Sequence, residues 1–317
     1  MIRYPDLSEL PAPPEGTGGW PWIVNSQPWI QVMPDGELWP KITLVTPSYN
    51  QAQYLECTIR SVLLQGYPNL EYIVIDGKSQ DGSAKLIQKY EPWLTYWVSA
   101  PDLGQADALQ NGFMRSTGER LGWLNSDDLL LPGALYQIGI LHRLAPTSLI
   151  AGSVINWDTQ SGQEEVIHQR GLSLDSLLQL WKRSYRWHQP GLLFPRQAYE
   201  YVGGLDTSLR YGMDYDLLCR LLRLNLPVMY TDQCLAKFRL HPTSKTRSEN
   251  TRMALELYRI SARYWSLLGR SRWSCAVQMF WHMTLRSAKN LAQGDVIGAR
   301  DSLVGGGRLF VELGRSA

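Results

Sequence analysis

Cysteine is scarce and scattered in this 317-residue chain: Cys57, Cys219, Cys234 and Cys275 form no CxxC pair and no Cys/His cluster. That argues against a zinc site and a disulfide framework, and it fits a reducing compartment. No run of 18 uninterrupted apolar residues occurs, and the opening "MIRYPDLSELPAPPEGTGGWPW" lacks an apolar h-region, so the expectation is a protein neither exported nor membrane-spanning. Excess charge is absent too: 31 Lys and Arg against 29 Asp and Glu leave a formal +2, and nothing global points to nucleic acid. The first apolar run, "ITLVTPSYN", is not followed by G-x-G-x-x-G, which excludes the dinucleotide-binding turn of a dehydrogenase. Nor does a basic Gly-rich loop stand near it, as a nucleotidyltransferase would need for a triphosphate. No internal repeat is visible.

What remains is ordinary globular material, 44% hydrophobic and 19% charged, with enough length for a sizeable core. Its charge is uneven. From residue 251 onward there are ten basic side chains against four acidic ones, so that tail is +6 and the rest −4. Residues 1–40 are rich in Pro, Gly and Trp without periodicity and read as an irregular lead-in against the domain surface. From Ile42 apolar runs alternate with helical spacing. "ITLVTPSYN" precedes a helix with Leu55, Ile59, Val62 and Leu63 on one face; Ile73 to Ile75 precede the turn-rich stretch to Ser83 and a second helix; "LTYWVSAPD" and "RLGWLNSDD" repeat the theme, with Pro132 suited to a first helical turn. Strands alternating with helices predict βαβ units and a mostly parallel sheet, whose ligands bind beyond the carboxyl ends of the strands. After Leu149 the pattern is mixed, with further strands near 148–157 and 227–240, a strand, short helix and glycine turn over 191–206, helices near 172–183 and 213–225, and helical spacing over 251–293.

Asp76, Asp102 and the adjacent pair Asp127 and Asp128 all fall at predicted strand exits, which should bring them together. Two neighbouring carboxylates repel unless something positive holds them, and a hard divalent cation with oxygen ligands is the usual solution.

Four pieces, "TPSYNQAQYLECTIRSVLLQGYPNLEYIVIDGKSQDGS", "SAPDLGQADALQNG", "GWLNSDD" and "GGLDTSLRYGMDYDLLCRL", resemble in order and spacing the family 2 glycosyltransferases of the GT-A fold. The resemblance runs from about Lys41 to about Thr246. It implies an α/β fold with a Rossmann-like, mostly parallel central sheet flanked by helices, and inverting transfer from a nucleotide-diphosphate sugar. Carried onto this chain, it assigns the nucleotide sugar to Pro47, Tyr49, Asn50, Asp76, Asp102, Asp107, Asn125 and Asp127, with Asp76 facing the base. It assigns Mn²⁺ or Mg²⁺ to Asp127 and Asp128, with His241 as a further candidate ligand, and the catalytic base to Asp214. The chain departs from the family pattern at Lys78, Gln80, Gln110, Asn111 and Met213.

Each assignment has a plainer counterpart. Asp127 and Asp128 could cap the helix near Pro132, Asp76 could close an Asx-turn, Asp102 could start a turn, and Asp107 could favour the first turn of its helix. Asp216, four residues before Arg220, suits a surface ion pair and so competes poorly with Asp214 for the base. His241 could equally be structural. Among thirteen tryptophans, Trp181 and Trp187 are the candidates for acceptor contact.

The expected organisation is a lead-in over 1–40, a GT-A domain over 41–250 with its nucleotide-sugar half to 130 and its acceptor half beyond, and a basic helical region over 251–317. The expected activity is metal-dependent hexosyl transfer to a hydroxyl of a glycan or lipid-linked acceptor, in cell-surface polysaccharide synthesis. The rival of another class is a catalytically silent sugar-nucleotide-binding or scaffolding protein. The expected location is cytoplasmic. The basic C-terminal helices leave two readings open, a solvated face or peripheral docking on anionic lipid at the inner face of the membrane.

Overall fold

The computed structural model describes residues 5–24, 31–179, 187–244, 250–292, 294 and 296–315. Trp181 lies outside them. In chain order the elements are β1 (Ile42–Ser48), α1 (Ala52–Leu63), β2 (Leu70–Asp76), α2 (Ser83–Tyr90), β3 (Tyr96–Ser99), α3 (Gln105–Met114), β4 (Arg120–Trp123), β5 (Leu129–Leu130), α4 (Ala134–Leu144), β6 (Leu149–Asp158), β7 (Glu164–Ile167), α5 (Leu174–Leu178), β8 (Leu192–Pro195), α6 (Arg196–Tyr201), α7 (Met213–Leu222) and β9 (Val228–Leu240). Three longer helices follow: α8 (Asn250–Trp265), α9 (Arg272–Ala292) and α10 (Val296–Arg315).

The chain divides into two compact units. The first comprises Met1–Arg170, Trp187–Arg210 and Leu224–Arg239; the second comprises Gly171–Arg186, Tyr211–Arg223 and Leu240–Ala317.

The first unit is built on a sheet of order β3-β2-β1-β4-β8-β6-β9-β5, with β7 paired to β6. β3, β2, β1 and β4 run parallel, as the βαβ pattern predicts, while β8 joins β4 antiparallel and begins the mixed half. The registers Ser48↔Asp76 and Asp76↔Ser99 align the exits of the three outer parallel strands in one row. Leu55, Ile59, Val62 and Leu63 of α1 are all fully buried, so the helical spacing located the core-facing stripe correctly. The lead-in is strapped to the same unit. Arg60, itself buried, donates to the carbonyls of Pro11, Pro21 and Trp22, and the Trp20 indole N–H donates to the Leu130 carbonyl at 2.7 Å.

One local expectation is corrected. Pro132 does not open a helix. Leu129 and Leu130 pair antiparallel with Lys237 and Ala236, and Leu131 N–H continues that ladder to the Leu235 carbonyl. Pro132 has no N–H to extend it, Gly133 turns the chain at φ +78°, and α4 starts only at Ala134. Asp127 and Asp128 therefore do not cap α4, whose N-cap is Gly133.

In the second unit α9 and α10 form an antiparallel hairpin, with Trp273 and Phe280 against Phe310 near its open end and the Ser287 hydroxyl donating to the Ala299 carbonyl near its turn. Leu255 of α8 lies against Gly305 of α10, and the buried Met279 and Met283 line the inner side of α9.

Candidate active site

The site in the first unit is assembled from the loops that leave β1, β2, β3 and β4. After β1, Tyr49 stands 64% exposed and Asn50 takes a left-handed φ of +52°. Asn50 is laced to the loop after β2: its N–H donates to Ser79 Oγ at 2.8 Å, and its Oδ1 accepts from Gln80 N–H at 2.8 Å. Asp81 accepts from Ala52 N–H at 2.8 Å and from the Ser83 hydroxyl at 2.6 Å. The departures at Lys78 and Gln80 thus sit in a loop tied to Asn50 through Ser79 Oγ and Gln80 N–H. Lys78 itself adopts φ +61°, and its carbonyl accepts from the Gln80 amide.

Asp76 is fully buried and its carboxylate faces inward. Oδ1 accepts from the Ser79 hydroxyl at 2.5 Å, and Oδ2 accepts from Ser79 N–H at 3.0 Å and the Ser99 hydroxyl at 2.6 Å. Asp102, after β3, is half-buried; its Oδ1 accepts from Gly104 N–H at 2.9 Å. Asp107 Oδ2 accepts from Leu103 N–H at 3.1 Å, the helix-entry role that its place in the first turn of α3 allowed.

After β4, Asn125 joins its own loop to the start of α3: its Oδ1 accepts from the Gln105 amide at 2.8 Å and its amide faces Asp128 Oδ2 at 3.3 Å. Asp127 and Asp128 behave differently although they are neighbours. Asp128 is fully buried, its Oδ1 accepts Arg239 N–H at 2.9 Å, and its carbonyl accepts the Thr58 hydroxyl at 2.6 Å. Burial, and after it the neighbouring Asp127 carboxylate, pushes the Asp128 pKa well above the ordinary carboxylate value. Asp127 is half-buried, and its carbonyl accepts from Arg239 Nε at 2.7 Å.

Arg239, which the sequence reading did not single out, stands beside the acidic pair. Its guanidinium lies 4.8 Å from the Tyr54 ring centroid and 4.6 Å from that of Trp157, so two aromatic faces hold the cation beside the acidic pair. Gln110 has a structural explanation as well: its Oε1 accepts from the Tyr199 hydroxyl at 2.6 Å and Leu205 N–H at 3.1 Å, tying α3 to the glycine turn after α6. Gln189, also unanticipated, donates its amide N–H to the Trp123 carbonyl at the end of β4, which leaves its Oε1 facing away. That oxygen is buried without a hydrogen-bond partner, as are Ser48 Oγ at the exit of β1 and Gln51 Oε1 just after it. Buried acceptors without donors are rare enough in native proteins to call for a ligand or ordered water.

In the second unit Asp214 lies half-buried in the first turn of α7, its Oδ1 near its neighbour's N–H (Tyr215 N, 2.7 Å). Glu256 of α8 supports the approach to that turn by accepting from Tyr211 and Gly212 N–H, each at 2.7 Å. Asp216 does pair with Arg220, at 2.8 Å, but the pair is not a surface one: Asp216 is buried and also accepts the Tyr264 hydroxyl at 2.9 Å. Met213, at the position of a frequent family acid, is buried in the core. His241 is buried, with Nδ1 3.0 Å from the Thr243 hydroxyl, and its carbonyl accepts from the Ser244 hydroxyl. Trp187 is half-buried in the first unit.

Among the described residues no group of three or more His, Cys, Asp or Glu side chains is placed to hold a metal ion. A cation here would therefore take one or two carboxylate oxygens from the protein and the rest of its shell from diphosphate and water, which is how Mg²⁺-type ions are commonly bound in phosphate-transfer sites. The half-buried Asp127 at the exit of β4 fits that donor set.

Residues 43–192 match the family described as Glycosyl transferase family 2. The chain is 30% identical over 219 residues to an uncharacterized glycosyltransferase of Rickettsia typhi, covering 66% of this chain and 67% of that one. It is 38% identical over 192 residues to one of Mycobacterium tuberculosis, covering 60% and 71%. Of a longer glycosyltransferase of Rickettsia felis it spans about a third, 34% of the length. Among solved structures, S. aureus TarS 1-349 in complex with UDP-GlcNAc superposes with a TM-score of 0.65 at 14% identity, over 86% of this chain and 81% of that one. The mannosyltransferase PcManGT from Pyrobaculum calidifontis, in complex with GDP-Man and Mn²⁺, superposes with a TM-score of 0.52 at 17% identity, over 93% and 89%. At those identities the structural likeness establishes the GT-A fold; the family match and the sequence relatives show that the chain belongs to glycosyltransferase family 2.

Proposed function

We propose that this glycosyltransferase transfers a hexose-type unit, with inversion, from a nucleoside-diphosphate donor to a hydroxyl of a glycan or lipid-linked acceptor in cell-surface polysaccharide assembly. The observation that carries the donor half is the division of labour at the exit of β4. Asp128 is buried against Arg239, while Asp127 is left half-buried on the carboxyl edge of the sheet. The complexes of TarS with UDP-GlcNAc and of PcManGT with GDP-Man and Mn²⁺ support the same reading.

In this reading Asp214 removes the proton from the acceptor hydroxyl as its oxygen attacks the anomeric carbon. The bond from that carbon to the diphosphate oxygen breaks on the opposite face, and its electron pair leaves on the nucleoside diphosphate. Asp127 would hold a divalent cation, Mn²⁺ or Mg²⁺, which when bound would neutralise charge on the diphosphate. Asp128 and Arg239 fix the backbone that carries Asp127. Asn50 and its bonded loop, with Pro47 and Tyr49, form the floor for the nucleoside.

A thermal-shift titration tests the reading. A nucleoside diphosphate at about 100 times its dissociation constant adds roughly 2.7 kcal/mol to folded stability. We expect that shift for at least one of UDP, dTDP and GDP, only with Mn²⁺ or Mg²⁺, and its loss in Asp127→Asn. A metal-independent shift retained by Asp127→Asn would remove the metal assignment. Binding without turnover of any nucleotide sugar would favour the silent rival.

The lipid-linked acceptor rests on the C-terminal hairpin. Trp273, Val277, Trp281 and Leu285 recur every fourth residue along α9 and are exposed, Trp281 at 65%. Phe310 of α10 packs on Trp273 and Phe280, and Leu303, Val304 and Val311 of the same helix are exposed. No helix among the described residues is long and apolar enough to cross a membrane. An exposed aromatic and aliphatic face on a segment of net charge +6 suits the surface of an anionic bilayer. Vesicles of phosphatidylglycerol should co-sediment the protein and vesicles of phosphatidylcholine should not; Trp281→Ser with Val277→Ser should abolish the difference. Concentration-dependent dimerisation lost in the same variant, without vesicle binding, would assign the face to a second copy instead.

A further inference from the structure

We infer that the base of the donor nucleotide is read by Asp102, seated on the bare backbone of Gly77, and not by Asp76. The inference rests on the donor-site reading above and narrows it to nucleotides whose base donates a ring N–H: uracil, thymine or guanine.

The argument begins with what Asp76 has left to offer. An ionised carboxylate presents about four acceptor positions. Three are filled by Ser79 N–H, the Ser79 hydroxyl and the Ser99 hydroxyl, and none of the residue reaches solvent. Turning outward would strand all three donors. Asp76 therefore shapes the loop from which a reader could work.

Asp102 stands where that reader is needed. A Cβ built on Gly77 would lie 2.8 Å from Asp102 Oδ2 and 3.2 Å from both its Cγ and Oδ1, so the carboxylate rests directly on the backbone one residue past β2. Gly77 N–H in turn donates to the Ser48 carbonyl at 2.8 Å, which sets the Asp102 carboxylate level with the exits of both β1 and β2. Gly104 N–H engages Oδ1 and fixes the orientation, and the residue is only half-buried. The lack of a side chain at residue 77 is thus what makes the seat possible, and any side chain there would displace the carboxylate.

The chemistry selects the ligand. A carboxylate accepts a charge-assisted bond from the ring N–H of uracil, thymine or guanine. The corresponding edge of cytosine or adenine carries an unprotonated ring nitrogen whose lone pair faces the carboxylate. A site built to receive an N–H discriminates strongly against an analogue that lacks it.

Isothermal titration of the whole chain with UDP, dTDP, GDP, CDP and ADP, each with Mn²⁺, tests this. At least one of the first three should bind ten-fold or more tightly than both CDP and ADP. Asp102→Asn keeps an acceptor for Gly104 N–H, so it should fold with an unchanged melting temperature in the absence of nucleotide, yet lose that discrimination. Gly77→Ala leaves Asp102 in the chain but unseats it, and should lose the discrimination as well. Undiminished discrimination in both variants would overturn the inference while leaving the donor site standing, and so would a wild type that prefers CDP or ADP. Failure of the wild type to bind any nucleoside diphosphate would remove the donor-site reading and the inference with it.

Discussion

Glu71 and Asp76 occupy opposite ends of the same strand, β2, and both are buried with their oxygens engaged. At the amino end Glu71 accepts from the Thr43 hydroxyl at 2.6 Å, from Thr117 N–H at 2.7 Å and from the Thr117 hydroxyl at 2.9 Å, with Lys41 3.4 Å away. At the carboxyl end Asp76 does the same work with Ser79 and Ser99. The difference lies in what surrounds them. The carboxyl end has a second set of carboxylates, Asp102 and Asp127, which are half-buried. The second unit repeats the division on one helix, where Asp216 is buried against Arg220 and Tyr264 while Asp214, two residues earlier, is half-buried. Burial with filled acceptors marks the carboxylates that hold the scaffold; partial exposure marks those proposed to meet ligand.

Four changes would break or sharpen that division. The largest effect is expected at Asp214. Asp214→Asn should lower kcat by about 10²- to 10⁴-fold, the usual contribution of a general base, with donor affinity unchanged. Asp216→Asn should instead act on stability, and equal loss of turnover without destabilisation in both would merge the two classes. Next comes Asp76→Ala, which leaves three half-buried donors without that acceptor and should cost about 1–3 kcal/mol in urea denaturation, the range for unsatisfied groups. A neutral result there would make Asp76 a ligand group after all.

The smallest effect belongs to Glu71 and is read against pH. Burial raises its pKa, but the bonds from Thr43 and Thr117 and the charge of Lys41 outweigh burial and hold it below the ordinary 4.5. A carboxyl whose folded pKa is depressed adds stability that is complete above its unfolded pKa and is lost as pH falls through the folded one. The melting temperature should therefore fall below about pH 4.5, and Glu71→Gln should flatten that part of the profile. An unchanged slope would separate Glu71 from acid denaturation.

Much of the scaffold is legible in local pattern. The spacing of Leu55, Ile59, Val62 and Leu63 states which face of α1 is buried, and alternation of apolar runs with helices states that the first strands are parallel. The order of "PSYN", "DGKS", "NSDD" and "MDYD" is enough to indicate the family. Roles within the site are less legible, because adjacent residues have the same side chain and different surroundings. Asp127 and Asp128 cannot be told apart as letters; Thr58, near in space and 70 residues away in sequence, and Arg239 from β9 decide which one is buried. Pro132 misled for a related reason: the missing N–H that suits a helical turn also ends a strand ladder, and only the presence of Leu235 across the ladder selects the second outcome.

By itself the sequence determined the succession of elements, the parallel sheet, the positions of carboxylates at strand exits and the family. These follow from periodicity and motif order, which act over a few residues at a time. The tertiary structure alone decided that Asp76 faces inward, that Asp102 is seated on Gly77, and that a cation held between Tyr54 and Trp157 secures the acidic pair. Each of those depends on atoms brought together by folding from distant parts of the chain, and hydrogen bonds and close approach act only over a few ångströms.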